Sequence, residues 1–325
     1  MKRRTFLALV SAATAKTFAG TLPRIRLSEI GGSTSAMRFI AFGDAGTGDD
    51  HQGALARVMA KYQQSNSYDT ALLLGDNIYP DGNIANVSAK FERPYAELLH
   101  QGVKFHAVLG NHDARNGREG QPKYPHFNMD GRTYYSFTKG DNLAEFFALD
   151  SNEFDRTQRQ WLETALAASK ARWKVVYFHH PIYSSAGEHG SNPKLRAALE
   201  PLLVKYGVAA VFSGHDHTYE RTRLQQGVQY FVSGTGGKLR RGDLDRRSPF
   251  FATGNDESGS FMLMDVTPER FSFKAIDVSG RVFDSGEIAP RATARNVIPS
   301  GLDTNGLGRF AVERPADLRV PVNQL

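Results

Sequence analysis

Five short apolar runs, each followed by a glycine or a polar side chain, constrain the fold of this 325-residue chain more than any other feature. The runs cover residues 38–42, 71–74, 104–109, 174–178 and 208–212. Apolar runs of this length are typical of buried strands. Helical periodicity fills segments between them, at residues 52–62, 91–99, 156–168 and 194–206. This alternation predicts an α/β fold built on parallel strands.

Residues of the types that bind metal ions follow these runs, and they are Asp44, Asp76, Asn111, His179, His215 and His217. Ligands bind at the carboxyl ends of strands in open α/β sheets, and a glycine there permits a sharp turn. His215 and His217 are two positions apart, so both point the same way in an extended segment. One such pair on a surface loop is easily a coincidence. Five strands that each end at a residue of a metal-binding type, however, predict a metal centre.

The absence of cysteine narrows the choice of metal. Histidine, aspartate, asparagine, tyrosine or glutamate must supply every ligand, which suits hard or borderline ions such as iron, zinc or manganese. A thiolate site and a disulfide framework are both excluded.

The ordered set of five strand-end motifs resembles that of the calcineurin-like metallophosphoesterases. The sequence Gly-Asp-x-x-Tyr, from Gly75 to Tyr79, narrows the resemblance to the purple acid phosphatases of the small, tartrate-resistant type. The similarity extends over roughly residues 37–276. It implies a single catalytic domain, residues 36–290, with a four-layer αββα sandwich of two mixed sheets.

The resemblance also implies a ligand set for a dinuclear centre. Asp44 would bind the first metal ion, Asp76 would bridge both, and the remaining ligands are Tyr79 and His217 for the first site and Asn111, His179 and His215 for the second. A phenolate, two carboxylates and one imidazole favour Fe(III), whereas two imidazoles, an amide oxygen and a carboxylate suit divalent Fe, Zn or Mn.

The activity that follows from the resemblance is that of an acid phosphatase, which hydrolyses phosphate monoesters by attack of a metal-activated hydroxide. The leaving alkoxide needs a proton, and two histidines are candidates to supply it. His112 directly follows Asn111. His189 lies in residues 186–190, about one residue from the family's position.

Two other functions are compatible with the same residues. A phosphodiesterase acting on cyclic nucleotides or phospholipid headgroups would use the same centre. A non-catalytic protein that binds metal or phosphate esters is the third possibility, and the complete ligand set with two candidate acids argues against it.

Several further residues have expected roles outside the ligand set. Asp113 is expected to orient His112 or to cap a turn, and Glu220 is expected to pair with Arg221. A basic loop either attracts anionic substrate or is merely solvated, and its cations include Lys238, Arg240 and Arg241.

The net charge of +6 does not indicate a nucleic-acid partner, because most of it precedes the predicted domain. Six basic residues and one acidic residue lie before Met37, which gives +5 there and leaves 6 − 5 = +1 for the rest. A phosphate-backbone footprint requires a basic surface on the folded body. The expected partner is therefore a small-molecule phosphate ester.

The two ends of the chain differ from its centre. Residues 1–35 have a charged start and a short apolar stretch, and Arg3-Arg4-Thr5-Phe6-Leu7 resembles a twin-arginine export signal. The apolar stretch is too short to span a bilayer, so we expect export to the periplasm or the exterior by the export machinery, without a membrane span. Residues 291–325 have no periodicity and are interpreted as a tail. The sequence does not determine the oligomeric state.

Overall fold

The structure, a computed structural model, describes residues 36–290. Within them the strands are β1 (Met37–Phe42), β2 (Thr70–Leu73), β3 (Lys104–Ala107), β4 (Tyr135–Lys139), β5 (Ala144–Ala148), β6 (Trp173–Tyr177), β7 (Ala210–Ser213), β8 (Tyr219–Thr222), β9 (Gln229–Ser233), β10 (Phe251–Asn255), β11 (Ser260–Val266), β12 (Phe271–Asp277) and β13 (Val282–Ile288). The α-helices are α1 (Asp50–Asn66), α2 (Ala96–His100), α3 (Asp113–Asn116), α4 (Arg156–Ala168) and α5 (Pro193–Lys205).

These strands form two mixed sheets. The six-stranded sheet has the order β13-β12-β11-β1-β2-β3, in which β1, β2 and β3 are parallel and β11 joins β1 in the antiparallel sense. The seven-stranded sheet has the order β10-β8-β9-β7-β6-β5-β4, in which β5, β6, β7 and β9 are parallel. The predicted pair of mixed sheets is confirmed.

Aromatic side chains fill the space between the sheets. The Phe39 ring of β1 lies 5.0 Å from the Phe146 ring of β5 and 6.1 Å from the Phe212 ring of β7. Phe231 of β9 and Phe273 of β12 are 4.9 Å apart. Each buried ring contributes about 1.5–3 kcal/mol through removal of apolar surface from water. The main core therefore holds the two sheets face to face.

Helices cover the outer face of each sheet. Leu55 and Met59 of α1 are buried in the same apolar cluster as the six-stranded sheet. On the other side, Leu162 of α4 and Leu199 of α5 are buried in a cluster with Val176 of β6. Helix, sheet, sheet and helix form the four layers that the sequence predicts. Asp155 caps α4 as expected, since its carboxylate accepts the backbone N–H of Gln158 at 2.8 Å.

The predicted helix over residues 91–99 is wrong. The chain instead forms a π turn at Ser88–Glu92 and then the short helix α2. Pro94 explains the break, because proline donates no backbone N–H and disfavours helical geometry in the residue before it. The polar, glycine- and proline-bearing sequence of residues 114–132 indicates a loop, but this segment includes most of α3 and two 3-10 turns. No apolar run in the sequence predicts strands β8, β10 and β13.

The predicted export signal, residues 1–35, and the predicted tail, residues 291–325, lie outside the described residues. No helix among residues 36–290 has both the length and the apolar character needed to cross a membrane.

Candidate metal centre

The loops that follow β1, β2, β3, β6 and β7 meet at one edge of the two sheets, and backbone hydrogen bonds fix two carboxylates there. The Asp44 Oδ2 atom accepts the backbone N–H of His215 at 2.8 Å, which joins the loops after β1 and β7. The Asp76 Oδ1 atom accepts the backbone N–H of His112 at 2.9 Å, which joins the loops after β2 and β3. Residues that are far apart in sequence therefore share one site.

One cluster of donor atoms, called here the Tyr79 group, consists of Asp44, Tyr79 and His217. The Tyr79 hydroxyl lies 3.2 Å from Asp44 Oδ1 and 3.3 Å from His217 Nε2. His217 Nε2 is 3.6 Å from Asp44 Oδ1. A phenol, a carboxylate and an imidazole thus face a common point.

A second cluster, called here the Asn111 group, consists of Asn111, His179 and His215. Asn111 Oδ1 lies 2.9 Å from His179 Nε2 and 3.0 Å from His215 Nδ1. The two imidazole nitrogens are 3.2 Å apart. One amide oxygen and two ring nitrogens therefore lie close together.

Asp76 lies beside both groups. Its Oδ1 atom is 3.6 Å from His179 Nε2 in the Asn111 group. Its carboxylate also lies within 4.8 Å of that of Asp44, in the Tyr79 group. The structure therefore brings all seven sequence-predicted ligand residues into two adjacent groups with Asp76 between them.

The orientation of His179 favours a cation at this position. Its Nδ1 atom donates to the backbone carbonyl of Leu74 at 2.9 Å, because a carbonyl oxygen can only accept. In the neutral ring, Nε2 then carries a lone pair, and it faces the oxygen of Asn111. A ring N–H held by a carbonyl is the usual way to orient a metal-binding histidine.

Three of the predicted ligands have left-handed backbone conformations. The φ angles are 56° at Asp44, 53° at Asp76 and 71° at His215. Such angles are uncommon outside glycine, and they concentrate at functional sites where surrounding contacts hold them. Here the contacts are the short turns that aim each side chain back across the ends of the strands.

Glycines next to these residues have no room for a side chain. A Cβ atom at Gly110 would lie 2.1 Å from Asp76 Oδ1, and one at Gly214 would lie 2.5 Å from Asp44 Oδ2. Any larger residue would displace a carboxylate. The glycines that mark the strand ends in the sequence are therefore required by the packing of the site itself.

Ionisation of the acidic side chains is unfavourable when no cation is present. Burial and then repulsion from Asp76 raise the pKa of Asp44 well above its ordinary value. Burial likewise raises the pKa of Asp76, and burial followed by the charge of Asp44 raises the pKa of Tyr79. A bound cation lowers these pKa values, because its charge favours the carboxylate and phenolate forms.

The histidines are held in the neutral form that binds metals. Burial and then the neighbouring His180 hold the pKa of His179 far below its ordinary value. Burial and then His179 lower the pKa of His215, and burial and then Arg240 lower the pKa of His217. Neutral imidazoles, carboxylates and a phenol oxygen are a donor set that fits a pair of metal ions.

The two predicted proton donors lie at different edges of the site. His112 is half-buried, with its Nδ1 atom 2.6 Å from the Pro80 carbonyl and its ring 4.7 Å from that of Tyr79. His189 is exposed, and its ring stacks on that of His215 at 4.3 Å. His189 also lines a cavity of about 210 Å³ together with His215.

His180, which follows His179 in the sequence, is a neighbour of the site. Its Nδ1 atom lies 2.9 Å from Ser151 Oγ, and its ring lies 4.5 Å from that of His215. His179, His180 and His215 bring ring nitrogens within 4.8 Å of one another. Its position immediately after His179 was the available signal.

Asp113, which the sequence predicts to orient His112 or to cap a turn, ties two ligand loops together. Its carboxylate accepts the backbone N–H groups of Asn77 at 2.9 Å, Ile78 at 3.1 Å and Gly110 at 2.9 Å. The Gln121 side chain donates to it at 2.8 Å. The turn-capping alternative is therefore supported, with the loops after β2 and β3 as its targets.

The loop that carries His189 is held by buried carboxylates. Glu220 accepts the backbone N–H of Ser185 at 2.7 Å and its hydroxyl at 2.6 Å. Asp216 accepts the backbone N–H of Gly190 at 3.3 Å. These contacts restrict both ends of the loop and so restrict where the His189 ring can lie.

The expected pair between Glu220 and Arg221 is wrong. Arg221 instead binds Asp284 of β13, through Nε at 2.8 Å and Nη2 at 3.1 Å. Neighbouring residues of a strand point to opposite faces, so Glu220 reaches the loop while Arg221 reaches the other side.

Comparison with known proteins gives one consistent group of relatives. Residues 37–219 match the calcineurin-like phosphoesterase family. Tartrate-resistant acid phosphatase type 5 of Oryctolagus cuniculus is 29% identical over 307 residues, which cover 81% of this chain and 94% of the relative. Purple acid phosphatase 17 of Arabidopsis thaliana is 30% identical over 251 residues, which cover 68% of this chain and 74% of the relative.

Solved structures share the fold. Purple acid phosphatase PPD1 from seeds of yellow lupin (Lupinus luteus) aligns with a TM-score of 0.67 and 21% identity, over 79% of this chain and 54% of the lupin chain. GAP50, the anchor in the inner membrane complex of Plasmodium, aligns with a TM-score of 0.69 and 20% identity, over 80% of this chain and 90% of the other. These two likenesses show the architecture alone.

Proposed function

The chain belongs to the calcineurin-like phosphoesterase family, with purple and tartrate-resistant acid phosphatases among its relatives, and we propose that it hydrolyses phosphate monoesters at a dinuclear Fe(III)–M(II) centre. Family membership makes it a metal-dependent hydrolase of phosphate esters. The preference for monoesters, the ferric ion and the residue roles are the parts that we propose.

In this proposal each group of donors holds one metal ion. The Tyr79 group, with Asp76, holds the ferric ion, because phenolate and carboxylate oxygens are hard ligands. The Asn111 group, with Asp76, holds divalent Fe, Zn or Mn. The observation that carries the proposal is the position of Asp76, whose carboxylate lies within 4.8 Å of both His179 in one group and Asp44 in the other.

When bound, such a pair of cations supplies Lewis acidity toward a phosphoryl oxygen and lowers the pKa of the attacking water. The residues of the chain orient the donor atoms. The Asp44 and Asp76 carboxylates are fixed by backbone N–H groups, and His179 is fixed by the Leu74 carbonyl. Little rearrangement of the donors is then needed during phosphoryl transfer, in which stabilisation of spread charge dominates.

We assign the proton for the leaving alkoxide to His189 and, as the alternative, to His112. Support for His189 comes from its exposed ring, which stacks on His215 and lines a cavity. Support for His112 comes from the 2.6 Å contact of Nδ1 with the Pro80 carbonyl, which leaves Nε2 to deliver the proton. A leaving group beside His215 would place its oxygen nearer to His189, whereas one that passes Tyr79 would place it nearer to His112.

A matched pair of substrates tests the proposed reaction. Hydrolysis of 4-nitrophenyl phosphate and of bis(4-nitrophenyl) phosphate should be compared in the metal-loaded protein, with Asp76→Asn as the inactive control. We expect kcat/KM for the monoester to exceed that for the diester. A preference for the diester would replace the proposal with a phosphodiesterase, and binding of phosphate without turnover of either ester would favour a non-catalytic role.

We also propose that residues 1–35 direct export to the periplasm or the cell exterior. The support is the sequence Arg3-Arg4-Thr5-Phe6-Leu7, which resembles a twin-arginine signal. Conversion of Arg3 and Arg4 to lysine keeps the charge but should retain the full chain inside the cell, as fractionation and immunoblotting would reveal. Unchanged export of the double variant would contradict this proposal.

A further inference from the structure

A second cavity, of about 380 Å³, has a lining that includes His51, Lys238 and Arg241. Its volume falls in the range of small-molecule sites, which is about 300–1,000 Å³. It is distinct from the smaller cavity at His189, and the proposed reaction does not account for it. The basic loop that the sequence singled out forms part of its wall.

Lys238 joins this cavity to the candidate metal centre. Its backbone N–H donates to the Asp44 carbonyl at 3.0 Å, so the residue is anchored to the loop after β1. Its Nζ atom lies 4.9 Å from the centre of the Tyr79 ring, where an ammonium is attracted by the face of the aromatic ring. A molecule held at the metal centre and extending past Tyr79 would therefore meet Lys238.

The cavity has an excess of positive charge. Within residues 36–290, neither Lys238 nor Arg241 forms an ion pair within 4.0 Å, whereas Arg240 between them lies 3.5 Å from Glu188. The one carboxylate in the lining, Asp49, caps α1 by accepting the Gln52 backbone N–H at 3.1 Å. Two cations without carboxylate partners at the wall of a cavity attract anionic ligands.

The remaining lining is partly apolar. Leu239 and Val278 both border the cavity, and Val278 is 37% exposed, one of few large apolar side chains so accessible within residues 36–290. An apolar surface beside two cations complements an organic group that ends in a negative charge. This combination of apolar and cationic side chains is not expected of a purely polar, solvated loop.

We propose that this cavity selects phosphomonoesters whose leaving group carries a second anionic group, a carboxylate or a phosphate, bound by Lys238 and Arg241. The inference rests on the proposed function, because it places the reacting phosphoryl group at the metal centre. The body of the leaving group then passes Tyr79 and its far charge lies between the two cations. This specificity requires no change in the reaction itself.

Steady-state kinetics on three related esters test this selectivity. They are phenyl phosphate, 4-carboxyphenyl phosphate and phenylene 1,4-bisphosphate. We expect the double variant Lys238→Met/Arg241→Met to lower kcat/KM for the two charged-leaving-group esters about tenfold, because each exposed ionic contact contributes modestly. The value for phenyl phosphate should fall by a smaller factor, and the difference should shrink at high salt.

Arg247→Met is the matched control, because Arg247 is in the same basic loop, has a side chain that is 92% exposed and does not line the cavity. It should leave all three values unchanged. An equal loss for all three esters in the double variant would overturn the proposal, since the cations would then act on the common phosphoryl group. No loss for any ester would overturn it as well.

A binding measurement separates this proposal from the proposed reaction. Calorimetry with benzylphosphonate and 4-carboxybenzylphosphonate requires no turnover. Wild-type protein should bind the carboxylated compound about tenfold more tightly, and the double variant should show no preference. If the preference is present while no ester is hydrolysed, the proposed reaction fails and the binding site stands. Equal binding of both compounds by the wild type would refute the binding site.

Discussion

Replacement of Asp113 by asparagine is expected to remove a loss of stability that the metal-free protein undergoes as pH rises, although it weakens contacts that tie the ligand loops together. Burial and then the charge of Asp76 raise the pKa of Asp113 from its ordinary value of 3.8 to about 7. Between these two values the folded protein binds more protons than the unfolded chain, so the free energy of unfolding falls as pH rises.

The size of this effect follows from the two pKa values. A difference of about three pH units corresponds to about 4 kcal/mol in total, and about 3 kcal/mol of it is lost between pH 5 and pH 8. Asparagine does not ionise, and its amide resembles the protonated carboxyl in shape. The lost contacts should lower the stability of Asp113→Asn by a constant amount. Between pH 5 and pH 8 the melting temperature of the wild type should therefore fall by about 6 °C relative to that of the variant.

The assay is thermal unfolding of both proteins after removal of metal, at several pH values between 5 and 8. Asp256→Asn is the matched control. Asp256 is also buried, but hydrogen bonds from Leu244 and Arg246 outweigh burial and lower its pKa. Its stabilising contribution is complete above about pH 4, so that variant should be destabilised by a constant amount between pH 5 and 8.

Metal should reverse the result for Asp113. Cations beside Asp76 favour the ionised carboxylates, so the fall in stability with pH should disappear in the loaded wild type. The loaded Asp113→Asn variant should then be the less stable protein, with metal affinity reduced about 10–100-fold, because the partners of ligand loops orient the ligands. Parallel pH profiles for the two metal-free proteins would refute this reasoning.

Two further predictions concern the proton donor and the glycines. His189→Asn should lower kcat about 100-fold, whereas His112→Asn should lower it less; the reverse order would identify His112 as the acid. Gly110→Ala should abolish metal retention, because its Cβ would lie 2.1 Å from Asp76 Oδ1. Gly53→Ala, with its nearest contact at 3.6 Å, should fold and bind metal normally.

The sequence predicted where the candidate site lies because a local pattern determined it. Parallel strands bring their carboxyl ends to one edge, so glycine followed by a polar residue was sufficient to place Asp44, Asp76 and Asn111 near one another. The division of donors into two groups was not determined by this pattern. It depends on how the two sheets face each other, and it came from the resemblance carried by Tyr79.

The errors have a common physical origin in contacts between distant residues. Glu220 is 35 residues from Ser185, and Arg221 is 63 residues from Asp284, so no local pattern reveals either partner. Strands β8, β10 and β13 include polar residues, and pairing with neighbours in the sheet holds them. The helix error at Pro94 was avoidable, since proline is a local signal.

Buried carboxylates next to neutral histidines lower the stability of the metal-free protein. Without cations the site is unfavourable, because Asp44, Asp76 and Asp113 all have raised pKa values. The metal-free site lowers the free energy of unfolding, and the two-sheet core must offset this loss. Bound metal raises the free energy of unfolding again, because it binds to the folded protein. Metal content is therefore expected to determine thermal stability as well as activity.

The most direct test of the central claim is metal analysis together with a visible spectrum of protein produced from the full-length chain, residues 1–35 included. We predict two metal ions per chain, at least one of them iron, and a pink to violet colour from tyrosinate-to-iron charge transfer. The Tyr79→Phe variant should lose the colour. An active protein that contains iron but is colourless, or that binds a single metal ion, would contradict the account.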